Sequence, residues 1–437
     1  MGYRLGVRKS GSGCAWTEGD VARTVNSMAP RSHSRGRKTR RRTADHHHRP
    51  EIQRVFFVGA GLSAGMLYPV GSTLMLDLVQ YLRGERTPRL AKGRRVSNSL
   101  RKDPANRTRA AEMIDVVGQV LQRYFAVNLD EMGQIDVAEF FSIAHTLAES
   151  PALFADGSTQ HGVGVDGIPS ATSLFRDLSA VTRSYFYDLG RLAGNAPADI
   201  HSLVRSIRPG QDVVINFNWD EELDFELDAQ TAGLGYMLQA ASADGNALML
   251  KPHGSIGWYD VKQGIANAGA YFIADEDGRV PRALRRIVAY PENETPFDLD
   301  WVVPPRRRHS LFECPPVITP PTFSKRFDFR EQQFIWQDVV SVCRQARDFV
   351  FLGYSLPRDD FLTRAAIRSA LHDSERRKHV RCLLVHLTFD DKRANFESVF
   401  GQGLSHRHHF LKWRFGTRDP SFGEKLEAAL ENAHVPE

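Results

Sequence analysis

The chain has 437 residues, 42% apolar and 25% charged, with a formal net charge of +5. That length is ample for a buried core, and that balance is typical of a globular protein in water. No apolar run reaches the roughly 18–20 residues of a membrane-spanning helix, and the N-terminus lacks the apolar core of a secretory signal. Composition therefore excludes a membrane protein and predicts a cytoplasmic one.

Residues 1–53 hold twelve Lys/Arg and four Asp/Glu, a net of +8, which leaves −3 for the rest. The basic character belongs to the tail, so the whole-chain pI does not argue for a nucleic-acid-binding fold. The tail is rich in Ser, Gly and Arg and too poor in large apolar residues to offset its ordering entropy; it is expected to be disordered. Its run Arg35-Gly36-Arg37-Lys38-Thr39-Arg40-Arg41-Arg42 reads either as a solvated segment or as a contact for nucleic acid. His46-His47-His48 is too short to argue for a metal.

Order is expected from Arg54. Val55-Phe56-Phe57-Val58 reads as a buried parallel strand. Gly59-Ala60-Gly61-Leu62-Ser63-Ala64-Gly65 follows it, and a helix is predicted over 72–82 from the spacing of Leu74, Leu78 and Leu82. Glycines at a strand–helix turn let backbone approach a diphosphate, and a helix N-terminus offers free N–H groups. A dehydrogenase of the usual dinucleotide-binding kind would add an acidic residue about 20 positions on, at a second strand tip. Asp77 lies inside the helical pattern and Glu85 in a basic loop, so that reading fails.

From about 84 to 209 the pattern is helical, over 111–125, 137–148, 171–193 and 200–207, and Pro209-Gly210 closes the stretch. Strands return at 212–217, 247–250, 348–352 and 380–387, with helices at 330–347 and 361–371. One further strand is predicted at 408–415 and a closing helix at 422–433. The expected fold is α/β: a doubly wound, mostly parallel, Rossmann-like sheet spanning 54–437, with a large helical insertion after the first β-α unit.

Three further segments fall at strand tips, where such sheets bind ligands. Asn218-Trp219-Asp220 offers an amide and a carboxylate to orient water or grip a polar ligand; read alone it is equally an Asx turn. His253-Gly254-Ser255 offers a general base beside a glycine that admits a ligand closely; read alone it is a surface turn. Gly353-Tyr354-Ser355-Leu356-Pro357, followed by Asp359 and Asp360, offers a ribose or phosphate site, or a punctuated turn. The four cysteines, Cys14, Cys314, Cys343 and Cys382, include no C-x-x-C pair, which predicts neither a structural zinc nor a disulfide framework.

Taken in order, these segments resemble the sirtuin superfamily, whose signature runs G-A-G-x-S, T-x-N-x-D, H-G and a late G-x-S. They stand here as Gly59-Ala60-Gly61-Leu62-Ser63, Asn216-Phe217-Asn218-Trp219-Asp220, His253-Gly254 and Gly353-Tyr354-Ser355. The wording from Leu250 to Trp258, like that from Gly353 to Asp360, looks more like the prokaryotic sirtuin-like branch, and the departures that follow fit its zinc-less NADases of antiphage systems such as Thoeris. The chain departs from the deacylases in lacking a four-cysteine module and in carrying Met66-Leu67-Tyr68-Pro69-Val70-Gly71 where they carry G-I-P-D-F-R.

The resemblance implies NAD as substrate, no zinc, and cleavage of the nicotinamide–ribose bond to nicotinamide and ADP-ribose by a bacterial defence effector. It implies that Gly59, Ala60, Gly61, Ser63 and Gly65 line the diphosphate site. Asn218 would hold water or the nicotinamide ribose, Asp220 would face the nicotinamide side, His253 would serve as general base, and Gly254 would help to bind NAD. Gly353 and Ser355 would bind the adenosine half. The alternatives are deacylation, ADP-ribosyl transfer, and a non-catalytic module that binds NAD or ADP-ribose. A free NADase would be toxic, so a homo-oligomer, or an activating partner or signal in trans, is expected, with the helical insertion as the contact surface.

Overall fold

A computed structural model describes residues 51–85, 98–102, 104–149, 171–193, 196–236, 245–260, 271–273, 316–319, 330–373, 379–388, 390–401 and 408–432. The basic run Arg35–Arg42, the three consecutive histidines, Cys14 and Cys314 lie outside the described residues.

The first strand, β1 (Arg54–Val58), is buried along its whole length. It is followed by α1 (Ala60–Ala64) and α2 (Gly71–Arg83). The helical stretch continues with α3 (Pro104–Phe125), α4 (Val137–Glu149), α5 (Ala171–Ala193) and α6 (Ala198–Ser206). The sheet resumes with β2 (Asp212–Asn216), α7 (Glu222–Gln230), β3 (Leu234–Gly235) and β4 (Ala247–Leu250). Three strands then lie off the main sheet: β5 (Gly254–Asp260), β6 (Tyr271–Ile273) and β7 (Pro316–Ile318). The last part holds α8 (Arg330–Gln345), β8 (Asp348–Leu352), α9 (Phe361–Ala370), β9 (Arg381–His386), a helix Asp390–Phe400, β10 (His408–Lys412) and a helix Phe422–Asn432.

Seven strands form one sheet in the order β10-β9-β8-β1-β2-β4-β3, and every pair in it is parallel. The chain leaves β1 toward β2, β4 and β3, then returns to the other side of β1 for β8, β9 and β10. The strand order therefore reverses between β1 and β8, the point at which doubly wound sheets bind their ligands. Helices cover both faces: α6 packs on α7 and on the helix Phe422–Asn432, while α9 packs on α8 and on the helix Asp390–Phe400. The expected α/β doubly wound architecture with its helical insertion is thus the architecture observed.

The two ends of the sheet are built differently. At the N-terminal end Arg54 pairs with its register partner Asp212 at 2.6 Å, both side chains nearly sealed from solvent. This end is structural. At the C-terminal end the ladder runs one residue past each strand, as Gly59 N–H donates to Leu352 O at 3.1 Å and Phe217 N–H to Val58 O at 3.0 Å. The segments singled out above leave the sheet there.

The helix predicted over 72–82 is α2; between it and β1 stands the five-residue α1, after which Gly65 to Val70 break the chain. Leu67 sits in this break at φ +74°, a left-handed conformation that costs a bulky residue energy. The helical insertion reaches the sheet through Trp219, whose ring lies 6.5 Å from Phe141 of α4 and 6.1 Å from Phe186 of α5.

Candidate functional site

The Asn218-Trp219-Asp220 turn leaves β2 one strand away from β8 and directly beside β1. Asn216 starts it, its Oδ1 accepting the Asn218 N–H at 3.0 Å. The Asn218 side chain then reaches back to α1, with Nδ2 donating to Gly59 O at 3.0 Å and to Ser63 Oγ at 2.7 Å. A carbonyl oxygen only accepts, so the amide nitrogen must face inward and the amide oxygen faces away. Asn218 thus presents a fixed acceptor at the strand tip.

Ser63 passes its own proton to Asp220 Oδ2 at 2.6 Å. Asp220 is buried, and its second oxygen, Oδ1, has no hydrogen-bond partner among the described residues. Burial pushes its carboxyl above the usual range, against the Lys251 charge and the Ser63 hydroxyl, which pull it back. An orphaned buried acceptor is costly, and a ligand hydroxyl would satisfy it.

Around Asp220 stands a set of groups that the motifs did not signal. Lys251, the last residue before Pro252-His253, is 0% exposed. Its Nζ donates to the Asp220 carbonyl at 2.6 Å and to Asp224 Oδ2 at 3.0 Å. Tyr236 OH donates to Asp224 Oδ1 at 2.7 Å, and Tyr68 OH to Glu222 Oε1 at 2.9 Å. Burial, with Asp224 nearby, raises Glu221 to about 8. Burial raises Glu222 to about 7, opposed by the Tyr68 hydrogen bond. The available signal was the run of acids from Asp220 to Asp224 beside a lysine closing an apolar strand.

His253 is half-buried. Its ring lies 5.2 Å from Phe217 and 6.3 Å from Trp336. Ile215 and Leu250 are register partners of β2 and β4, so Asn218 and His253 each stand three residues beyond the same rung. Gly254 turns the chain at φ +74°.

The glycines of the first motif also meet a packing requirement. A Cβ on Gly61 would meet Gly353 Cα at 2.8 Å, and one on Gly59 would meet Tyr354 Cα at 2.7 Å. Gly353 itself has φ +58°, and a Cβ there would meet Leu62 N at 2.4 Å. Gly65 is pressed in the same way against Phe415 and Gly416. Close packing of strand-tip backbones therefore requires glycine at these positions. The N–H groups of Gly59 and Gly61 are also committed, to Leu352 O and to Gly353 O at 2.9 Å. Ala60 starts α1 and is partly exposed, whereas the Ser63 side chain is turned to Asp220 and Asn218. Ser355 is half-buried, with its carbonyl accepting Asn395 Nδ2 at 3.2 Å. The Tyr354 ring stacks on Phe217 at 4.4 Å, and its hydroxyl donates to Asp360.

The described cysteines, Cys343 on α8 and Cys382 on β9, are buried, and neither is in a disulfide. Among the described residues no group of three or more His, Cys, Asp or Glu is arranged to hold a metal, and no helix is long and apolar enough to cross a membrane.

No family model and no curated protein matches the chain. Among solved structures it is similar to that of Sir2Tm bound to a propionylated peptide, at 11% identity and a TM-score of 0.31 over 87% of this chain and 93% of that one. The fold assignment rests on the strand order itself: a seven-stranded parallel sheet, wound both ways from β1, with its candidate site at the reversal.

Proposed function

We propose that the protein is an NAD glycohydrolase, which cleaves the nicotinamide–ribose bond of NAD with water. The observation that carries this reading is the joint position of Asn218, Asp220 and His253 at neighbouring strand tips beside the β1–β8 reversal. The sequence resemblance named above supplies the substrate.

In this reading NAD lies along the C-terminal edge of the sheet. The turn from Gly59 to Gly65 faces the diphosphate, and the Gly353-Tyr354-Ser355 segment faces the adenosine half. Asn218 turns its amide oxygen to the nicotinamide ribose or to the attacking water, because both its N–H groups are held by Gly59 and Ser63. A ribose hydroxyl fits the unpartnered Asp220 Oδ1. As the ribose C1′–nitrogen bond breaks, its electron pair leaves with nicotinamide, and positive charge develops on the ribosyl carbon. A carboxylate fixed in a dry site stabilises that charge better than water does. The water oxygen then bonds to C1′ and His253 takes its proton.

No zinc takes part in this scheme. A defence role, restraint by a homo-oligomer built through the helical insertion, and activation by a partner or signal in trans belong to the same reading.

The test is incubation of the purified chain with NAD and identification of products by mass. Nicotinamide and ADP-ribose in equal amounts are expected. A product carrying ADP-ribose on a protein or acyl group would replace hydrolysis by transfer. Binding of NAD without turnover would reduce the protein to a sensor.

A further inference from the structure

The scheme for NAD cleavage leaves Lys251 without a task, yet it is fully buried and its ammonium is hydrogen-bonded. A buried ammonium is costly unless its protons are received. Among the described residues they go to two groups, the Asp224 carboxylate at 3.0 and 3.2 Å and the Asp220 carbonyl at 2.6 Å. The first neutralises the charge. The second does something more specific: it grips the backbone of the turn that carries Asn218 and Asp220.

That grip is one of several from the same segment. Ile256 N–H donates to the Trp219 carbonyl at 2.9 Å, and Ser255 Oγ donates to the same carbonyl at 3.2 Å. Two successive carbonyls of the turn are thus held from the β4 side, while the Asn218 side chain is held from α1. The turn is suspended between these anchors, and Lys251 is the only one that also brings charge.

We propose that Lys251 is a positioning residue for NAD cleavage, which holds the Asn218-Trp219-Asp220 turn in its working shape and keeps a cation beside the Asp220 carboxylate. This rests on the reading of the site as one that cleaves NAD. Lys251 acts through the turn and touches no substrate. The charged and titratable neighbours are Ser63 of α1 on Asp220, Asp224, Glu221 and Glu222 at the start of α7, Tyr236 on Asp224, Tyr68 on Glu222, and Arg183 of α5 on Glu221. Of these, Lys251 is the cation that opposes Asp220's burial, and Asp224 works against it.

Lys251→Met alone leaves Asp224 as a stranded buried charge and is expected to fold poorly. The double variant Lys251→Met/Asp224→Asn removes both charges together and leaves Tyr236 an acceptor, so it is expected to fold. Two quantities are read on it: kcat and KM for NAD across pH, and the titration of Asp220 in the NAD-free protein by NMR of isotope-labelled aspartate carboxyls, assigned with Asp220→Asn. The inference predicts a kcat lower by about 10- to 100-fold, the scale of a small misplacement of reacting groups, with KM little changed. It also predicts an acid limb moved to higher pH and an Asp220 that titrates at higher pH than in the native chain. Asp224→Asn alone, which keeps the ammonium on the turn, should move the Asp220 titration the other way.

A folded double variant with native kcat, native acid limb and native Asp220 titration overturns the inference. So does an Asp220 titration that ignores Asp224→Asn, a result that remains readable if the double variant does not fold. Native protein that leaves NAD intact would defeat the cleavage reading, and the titration would then still decide whether Lys251 governs Asp220.

Discussion

Ser63 donates its hydroxyl proton to Asp220 Oδ2 at 2.6 Å, joining α1 to the turn after β2 across 157 residues of sequence. Ser63 Oγ in turn accepts from Asn218 Nδ2 at 2.7 Å, so the proton order runs from amide to hydroxyl to carboxylate. That order requires Asp220 Oδ2 to carry no proton of its own. Protonation of Asp220 would give it a proton of its own to place and would loosen the arrangement of Asn218.

Ser63→Ala should therefore weaken two partners at once. Asp220 loses its side-chain donor, and a buried acceptor left without one costs about 1–3 kcal/mol. Its carboxyl should also rise further, since the Ser63 hydrogen bond holds it down. Denaturant unfolding is expected to show the lower stability, and the acid limb of NAD cleavage should move to higher pH. Native stability together with a native pH profile would show that the hydroxyl merely fills space.

The glycine contacts make a second prediction with an internal control. Gly353→Ala places a Cβ 2.4 Å from a backbone nitrogen at φ +58°, and backbone cannot move aside cheaply. Gly210 has φ +79° with nothing within 4 Å of the added carbon, so Gly210→Ala carries conformational strain alone, about 1 kcal/mol. Equilibrium unfolding should rank Gly353→Ala well below Gly210→Ala. Equal losses would mean that the strand-tip packing is looser than described.

The acids beside Asp220 set the pH dependence of stability. Glu222 is raised from 4.5 to about 7 and Glu221 from 4.5 to about 8, both first by burial. Between the ordinary and the raised value the folded chain binds more protons than the unfolded one, so stability falls as pH rises. This contribution is fully present below the ordinary carboxylate range and is lost as pH rises through about 7 and 8. Melting temperature should decline from mildly acid to mildly alkaline pH, and Glu222→Gln should flatten the decline. A melting temperature that climbs over that range would contradict the assignment.

Much of the fold was legible because buried parallel strands are unbroken apolar runs. Ala247–Leu250 and Asp348–Leu352 were read to the residue for that reason. Leu234–Gly235 is too short to leave a pattern. The helix Asp390–Phe400 was missed because its sequence is largely polar and, among its described side chains, only Phe396, Val399 and Phe400 are buried. The antiparallel trio β5, β6 and β7 was missed because its strands pair across long sequence separations. At the site, Asn218, Asp220 and His253 were visible as polar residues at strand tips. Lys251, Asp224 and Tyr68 were not, because their partners are fixed by packing and not by spacing. The glycines were found, but their close approach to the neighbouring Gly353 turn is one that no local pattern reveals.

The zinc-free scheme has its own check. Elemental analysis of the purified chain should find zinc well below one per molecule, and removal of divalent metals by a chelator should leave the melting temperature unchanged. One tightly held zinc per chain would return deacylation to first place.

The most direct measurement compares NAD turnover by the native chain and by Asn218→Ala at matched melting temperature. Native protein should release nicotinamide and ADP-ribose. The variant should be slower by about 10²–10³-fold, the usual cost of losing one preorganised polar group, and His253→Ala added to it should cost little more if the two act as a unit. A folded Asn218→Ala that cleaves NAD at the native rate, or a folded native chain that leaves NAD intact, would contradict the account.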